Sequence, residues 1–321
     1  MIGLKVSHIV IFIVSITILS SIPIFLSEFT LHLLFILFIY ITLAQAFNML
    51  AGFCGYLSLG HVAYYGIGMY ITAVLVRFGQ PLSIACFCSA ASAGVFGLVV
   101  SLPLFRLRGA SFALGTLAIS TFMHTLFSQE WLGLGGSAGL VLRIPYSYGK
   151  IPFYFASFIA AVLVTLITKL IRHSRFGLAL LSIREDEDVA EVLGVKTLKE
   201  KLKIIWLSAF FTGLCGGIMA LYMGHICPDN AFPLTISLQM QFMSILGGLG
   251  TVIGPIVGAV TLVGLDSLIT FTIRELNTFF YALIILLTMI FMPDGIWGTF
   301  VEYRRKRVLK SNNHRKEGGS Q

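Results

Sequence analysis

Charged residues are scarce in this chain of 321 residues, because Asp, Glu, Lys and Arg together make up only 11% of it. Soluble domains carry roughly a quarter of their residues as charges, since a surface in water has to be covered by polar groups. The hydrophobic fraction of 57% and the mean hydropathy of +0.93 agree with that scarcity. The composition excludes a water-soluble globular protein and predicts a chain surrounded mostly by lipid.

Signatures of catalysis and of metal binding are also missing. The sequence has no H-E-x-x-H for a zinc protease and no G-x-x-x-x-G-K-[ST] loop for nucleotide phosphates. Its five cysteines are an odd number, and their positions form neither a disulfide framework nor a zinc-ligand spacing. We therefore expect a transport protein rather than an enzyme, with no cofactor and no metal. If ATP drives it, another chain binds the ATP.

One segment comes close to a catalytic pattern: GYLSLGH, residues 55–61. On a helix Ser58 and His61 would share a face. A nucleophile elbow, however, needs G-x-S-x-G, and no acid accompanies the pair. Lining a transport pathway or closing a contact between helices is the better interpretation of these residues.

The excess of positive charge, 22 Lys and Arg against 14 Asp and Glu, is unevenly distributed. Fourteen of the 22 lie in residues 172–203 and 304–316, without the interleaved aromatic residues of a nucleic-acid surface. We expect no nucleic-acid partner. Under the positive-inside rule both segments are cytoplasmic, Arg106 and Arg108 lie on the same side, and Arg77 and Lys150 lie outside.

Ten apolar segments are candidates for helices that cross the bilayer, since about 20 apolar residues span its hydrocarbon core. They are residues 8–27, 29–50, 58–76, 83–104, 110–127, 152–171, 204–224, 238–251, 253–272 and 277–293. With both basic segments inside, ten spans place both termini in the cytoplasm. The predicted fold is an all-α integral membrane protein, with a transmembrane domain 1–300 and a basic, disordered tail 301–321.

Two glycine-dense zones interrupt the apolar segments, the first from Gly52 to Gly68 and the second from Gly247 to Gly258. Both are predicted on the cytoplasmic side. Interrupted spans are the sequence signal of a transporter pathway, because glycine lets helices break or approach closely. Polar residues beside the first zone either line that pathway or form hydrogen bonds between helices. The pathway candidates are Asn48, Gly55, Ser58, Gly60, His61, Gly247, Gly248 and Gly250.

The hydrophilic loop 172–203 separates the sixth and seventh predicted spans. Within it, residues 185–193 predict a short amphipathic helix with Val189, Val192 and Leu193 on one face and acidic residues at its start. Gly194 is predicted to end this helix. Such a helix at the cytoplasmic surface indicates a docking element, and the alternative is an ordinary solvated loop helix.

Several motifs occur in order along the chain: GYLSLGHVAYYGIG (55–68), RLRGASFALGTLAIS (106–120), GGSAGL (135–140), LSAFFTGLCGGIMA (207–220), LGGLGTVIGPIVGA (246–259) and PDGIWG (293–298). With the loop SRFG…IREDEDVAEVLGV between the third and fourth motifs, residues 40–298 resemble the M-type (LivM) permeases of bacterial branched-chain amino-acid ABC importers.

This resemblance implies a permease bundle in the bacterial plasma membrane, with a cytoplasmic coupling helix between spans six and seven. The implied partners are a second related permease, two cytoplasmic ATPases and an extracytoplasmic solute-binding protein. The implied ATPase contact transfers to Arg184, Glu185, Asp186, Glu187, Asp188 and Gly194, and the apolar face adds Val189, Val192 and Leu193.

The implied substrates are leucine, isoleucine and valine. Urea and short-chain amide permeases look similar, so another solute of this kind is the alternative within the family. A stand-alone secondary transporter is the alternative from another class. It would need ligands for a coupling ion inside the membrane, and Asp266 is the only acid in the middle of a predicted span.

Overall fold

The computed structural model describes residues 27–130, 133–142, 149–272 and 295–299. The helices are α1 Glu28–Cys54, α2 His61–Arg77, α3 Leu82–Leu104, α4 Ala110–Phe127, α5 Ile151–Arg172, α6 Arg175–Glu185, α7 Glu187–Val192, α8 Thr197–Met223, α9 Pro228–Ala231, α10 Leu234–Gly247 and α11 Gly254–Thr272. Two short strands, β1 Leu140–Val141 and β2 His225–Ile226, form an antiparallel pair. The prediction of an all-α fold is confirmed.

Five of these helices, α1, α3, α4, α5 and α8, are long and apolar enough to cross a membrane. The predicted spans at α2, α10 and α11 are helices of 17, 14 and 19 residues. The predicted spans 8–27 (apart from Ser27) and 277–293, and the tail 301–321, lie outside the described residues. The count of ten spans therefore stays a prediction.

The helices run alternately in opposite directions, as polar contacts at the two ends of the bundle show. At one end, called here the loop end, α6 and α7 bond to the last turn of α1, to the segment after α3 and to the first turns of α8. At the other, the far end, Lys150 before α5 bonds to Glu28 of α1 at 2.9 Å. Arg108 thus shares an end with the basic loop, as its charge predicts.

Small residues let the helices pack closely at the centre of the bundle. A Cβ atom on Gly68 of α2 would collide with the carbonyl group of Gly213 in α8, and one on Gly216 with the carbonyl group of Tyr65. Helices in lipid associate through such close van der Waals contact, because lipid tails are as apolar as the side chains. Glycine at these positions therefore sets the spacing between α2 and α8.

The described part of the loop after α4 is attached to the end of α8. Leu140 and Val141 pair with Ile226 and His225 in β2. The N–H group of Leu142 also donates to the carbonyl oxygen of Gly224 at 2.7 Å. These bonds satisfy backbone groups at the far end and fix the loop there.

Candidate functional site

The loop at the loop end contains two helices rather than one. The sequence predicts a single helix from Glu185 to Leu193, but Glu185 ends α6 and α7 begins only at Glu187. Between them Asp186 is extended, and its carboxylate accepts hydrogen bonds from the N–H groups of Asp188 and Val189 at 3.0 Å. An aspartate that caps the following helix in this way competes with continuation of the preceding one. The predicted helix start was therefore wrong by two residues.

The end of α7 follows the prediction. Gly194 has φ of 88°, and no atom lies within 4 Å of the position where a Cβ would stand, so backbone conformation alone favours glycine there. The N–H of Val195 donates to the carbonyl of Ala190, and the N–H of Gly194 to that of Glu191. These two bonds form a Schellman motif, which turns the chain back toward α8.

The predicted apolar face of α7 is largely exposed within the described part of the chain. Val189 is 53% exposed, Val192 88% and Leu193 75%. Ala190, on the opposite side, is buried against the bundle. Three large apolar side chains displayed together on a short, capped helix form a surface that another protein can cover. We call Val189, Val192 and Leu193 the apolar face.

The acidic residues of α7 bond to the transmembrane helices. One oxygen of Glu187 accepts a hydrogen bond from Nζ of Lys201 in α8 at 2.6 Å, and the other from the hydroxyl of Tyr56 at 2.5 Å. The side chain of Lys201 is 2% exposed, and its Nζ also lies 5.0 Å from the ring centroids of Tyr56 and Phe105. This buried cluster joins α7 to α8 and to the segment between α1 and α2.

A second ion pair lies on the surface. The guanidinium group of Arg108 donates to both carboxylate oxygens of Asp188, at 2.9 and 2.7 Å. Both side chains are more than half exposed. An exposed pair adds little to stability, because water and salt screen it. Its bidentate geometry does fix the direction in which α7 leaves Asp186.

Both of these carboxyl groups are held in the charged form. Burial raises the pKa of Glu187, but hydrogen bonds from Lys201 and Tyr56 and the nearby cations outweigh burial, so the pKa lies below its ordinary value of 4.5. The hydrogen bonds and charge of Arg108 lower the pKa of Asp188 below its ordinary 3.8. At neutral pH two carboxylates therefore hold α7 to the bundle.

Arg184, in the last turn of α6, reaches the first glycine zone. Its Nη1 donates to the carbonyl oxygen of Gly52 at 2.7 Å, near the end of α1. A Cβ on Gly55 would lie 3.1 Å from Cγ of Arg184, and one on Gly250 would lie 2.8 Å from Nη1. The guanidinium group of one loop residue thus lies against both glycine zones.

The two glycine zones contact each other directly. The side-chain amide of Asn48 in α1 donates to the carbonyl of Thr251 at 2.9 Å and accepts from the N–H of Gly250 at 2.8 Å. The amide of Gln45, one turn earlier, donates to the carbonyl of Val252 at 2.6 Å. These side chains satisfy backbone groups of the non-helical link between α10 and α11 that have no helical hydrogen bonds of their own. We call this contact the break junction.

Glycine is required at the break junction for two separate reasons. Gly248 and Gly250 have φ of 115° and 76°, which side chains rarely adopt. Gly52 has no such conformation, but a Cβ there would lie 2.5 Å from the backbone nitrogen of Gly250. Gly247 likewise lies against the carbonyl of Gly254. The predicted second zone is therefore a real break in the helices, packed against the first.

The first zone breaks the chain before α2, which corrects the predicted span 58–76. Ser58 lies in the non-helical link 55–60 and His61 is the first residue of α2, so the two do not share a helical face. Hydroxyl groups cap the free N–H groups at this helix start. Leu59 donates to Thr116 of α4, Gly60 to Ser58 itself and Val62 to Ser237 of α10.

His61 joins three helices. Its Nε2 lies 2.8 Å from Oγ of Ser208 in α8, whose hydroxyl donates to the carbonyl of Ala46 in α1 at 2.7 Å. Because that hydroxyl has one proton to give, His61 must be the donor from Nε2. Asn48, Ser58 and His61 are thus buried and bonded within the chain. A role of these residues in the pathway stays a prediction and would require some of these bonds to open.

The arrangement as a whole is an exposed apolar face joined through polar contacts to two broken helices, and known proteins are similar to this chain in sequence. The sequence model of the family described as the branched-chain amino acid transport system / permease component matches residues 29–292. The chain belongs to this family. The matched range includes both glycine zones, the break junction and both loop helices.

Similar proteins come from bacteria and an archaeon. The high-affinity branched-chain amino acid transport system permease protein LivM of Escherichia coli (strain K12) is 26% identical over 311 residues, 85% of this chain and 71% of that protein. LivH of Salmonella typhimurium is 22% identical over 289 residues, 81% of this chain and 91% of that protein. The probable LivH of Methanocaldococcus jannaschii is 26% identical over 82% of this chain and 80% of its own length. No solved structure matches.

Sequence reasoning found the loop of this permease but missed the residues that hold it. Tyr56 and Arg108 carry no local signal, because each acts through a contact with a distant segment. The same holds for Thr251 at the break junction. Lys201 does carry one. Positions 201, 204, 205 and 208 follow helical spacing, and all are buried, so periodicity places this lysine on the apolar stripe of α8.

Proposed function

We propose that this permease is the M-type membrane subunit of an ABC importer for leucine, isoleucine and valine. The match to the family over residues 29–292 supports this most directly, together with relatives that are named as branched-chain amino acid permeases. The finer features proposed with it are ten spans, both termini in the cytoplasm and a location in the bacterial plasma membrane. A second related permease, two ATPases and an extracytoplasmic binding protein would complete the importer.

We place the ATPase contact on the apolar face of α7. A helix of six residues is not stable alone, and here its cap, its ion pairs and the Schellman motif hold it in place before any partner binds. A preorganised surface loses little conformational entropy on binding. Exposed apolar anchors carry most of the affinity of such a contact, whereas charges at its rim mainly affect association and salt sensitivity.

The charged residues of the loop have a second task in this proposal. Glu187 and Asp188 bond to the bundle rather than projecting freely, and Arg184 bonds to the break of α1. Displacement of α7 by an ATPase would therefore act on α8 through Lys201 and on the break junction through Arg184. Chemistry would be confined to the ATPases, and this chain would convert their motion into a change of access along the pathway.

Uptake measurements test the substrate. Deletion of the gene should abolish uptake of labelled leucine, isoleucine and valine at low external concentration, and expression of the full chain should restore it. Unchanged uptake of all three, with loss of urea or a short-chain amide instead, would place the chain in another branch of the family.

Co-purification tests the docking surface. Val192→Asp and Leu193→Asp place a charge on the apolar face, and we expect each to release the ATPase and stop uptake while the chain still inserts into the membrane. Val141→Asp is the matched control, because Val141 is 76% exposed at the far end. If the ATPase is retained and uptake is normal in both loop variants, the loop is only a solvated connector.

A further inference from the structure

A groove runs along the start of α8 at the loop end, and both lysines and apolar side chains line it. Its volume is about 790 Å³. Its lining includes Lys196, Lys199 and Lys203 and the apolar side chains of Leu98, Leu202 and Trp206. Lys196 and Lys199 come before Leu202 and Trp206 along the chain. None of these residues belongs to the apolar face or to the break junction.

The length of α8 places this groove at the boundary between lipid headgroups and hydrocarbon. A helix of 27 residues is about 40 Å long, at 1.5 Å per residue. The hydrocarbon core is about 30 Å thick, so roughly the first two turns of α8 project into the headgroup layer. Lysines on these turns and a tryptophan one to two turns further in match the usual positions of such residues at a membrane interface.

The charges of the groove sum to one positive unit available to a ligand. Glu200 forms hydrogen bonds to Lys203 through both carboxylate oxygens, at 2.8 and 2.9 Å, and so neutralises it. Neither Lys196 nor Lys199 forms an ion pair with a described residue, and the carboxylate of Glu191 also lines the groove. The two remaining cations exceed that carboxylate by one charge. A single phosphodiester group would balance them.

We propose that the groove binds one anionic phospholipid. The phosphodiester lies between Lys196 and Lys199, and the acyl chains lie along Leu98, Leu202 and Trp206. Because the groove also includes Glu191 of α7, the lipid sits beside the docking helix and stabilises the position of its last turn. This site requires only that the chain spans a membrane, so its test is independent of the transported solute.

The fluorescence of Trp206 can report contact between a lipid chain and the groove, because bromine on the lipid chain quenches tryptophan fluorescence on contact. The chain has three tryptophans. We would replace Trp131 and Trp297 with Phe, reconstitute the full chain with its co-purifying subunits in phosphatidylcholine, and subtract the signal of a Trp206→Phe preparation. Brominated phosphatidylglycerol and brominated phosphatidylcholine are then compared at increasing mole fraction.

We expect the anionic lipid to half-quench Trp206 at a mole fraction at least ten-fold lower than the neutral lipid. Each lysine near a membrane surface adds about five-fold to binding of an anionic lipid, so Lys196→Gln/Lys199→Gln should abolish most of this preference. Arg106→Gln/Arg172→Gln removes two charges from exposed residues at the same end that do not line the groove. This control variant should keep the preference for the anionic lipid.

Four results would overturn the proposal. Equal quenching by the two lipids would show an ordinary lipid-facing surface. Equal loss in the two double variants would show a diffuse surface potential. Quenching that millimolar inorganic phosphate prevents would assign the groove to a free anion. Quenching that appears only after the ATPases are removed would assign it to a subunit contact.

Discussion

The buried ion pair between Lys201 and Glu187 allows a sharp test, because its two side chains are unequally buried. The side chain of Lys201 is 2% exposed and that of Glu187 is 15% exposed. Removing one partner of a buried pair leaves the other charge uncompensated, which costs about 3–5 kcal/mol. That is a large part of the roughly 5–15 kcal/mol by which a native protein is stable.

We expect the two single substitutions to differ in their cost. Glu187→Gln leaves the cation of Lys201 buried without its partner, so the free energy of unfolding should fall by about 3–5 kcal/mol. Lys201→Met leaves a carboxylate that is nearer to water and still accepts a hydrogen bond from Tyr56, so the loss should be about 1–3 kcal/mol. The double variant should resemble Lys201→Met, so the coupling energy should be as large as the loss from Glu187→Gln alone, about 3–5 kcal/mol.

The free energy of unfolding can be measured by titrating the purified chain with SDS in mixed micelles and following tryptophan fluorescence. Arg108→Gln/Asp188→Asn is the control, since it removes an exposed ion pair from the same helix and should remain close to wild type. Equal losses from Glu187→Gln and Lys201→Met that simply add in the double variant would refute the reasoning. The buried cation would then not depend on its partner.

Further outcomes follow from the same contacts. Gly52→Ala should lower stability and uptake, because its Cβ would collide with the backbone of Gly250. The control Gly264→Ala should lower neither, since no atom lies within 4 Å of its Cβ position. Equal effects of the two variants would contradict close packing at the break junction. Because the folded pKa of Glu187 is lowered, its stabilising contribution is present above pH 4.5 and is lost as the pH falls through the lower folded value. A spin label at Glu191→Cys should thus gain mobility only below about pH 4.5, and mobility near neutral pH would count against this. In a cysteine-free background, an impermeant reagent outside the cell should label Ser137→Cys and not Glu191→Cys; the reverse would invert the predicted orientation.

The helices of this permease were predictable because hydropathy is a property of the local sequence. A run of about 20 apolar residues has to be helical in lipid, whatever it packs against. The bounds of α3, α4 and α5 agree with prediction to within one residue. The start of α8 does not, because Thr197 lies seven residues before the predicted segment. Its first turns carry lysines that hydropathy counts as loop, although helical periodicity continues through them.

The candidate site was predictable only in part. Composition and periodicity located α7, its apolar face and its final glycine, all of which depend on neighbouring residues. The Glu187–Tyr56 bond and the Asn48–Gly250 bond join residues 131 and 202 positions apart, and no local pattern encodes such pairs. The glycine residues of the sequence indicated where the helices are interrupted. Nothing in the sequence indicated that the two interruptions contact each other.

The two links between α7 and the bundle differ in strength, and the difference bears on how motion would pass through this chain. Glu187 bonds to a buried cation, whereas Asp188 bonds to an exposed one that water can replace. A force on the apolar face should therefore release Arg108 first and keep Lys201, so that α7 pivots about Glu187 instead of detaching.

Asp186 is the extended residue between α6 and α7 where such a pivot needs the least helix distortion. Arg184 lies two residues earlier, and its guanidinium group bonds to the end of α1 beside the break junction. Movement of α7 relative to α6 would then act on the guanidinium group of Arg184, which lies against both glycine zones, without the two broken helices having to move separately.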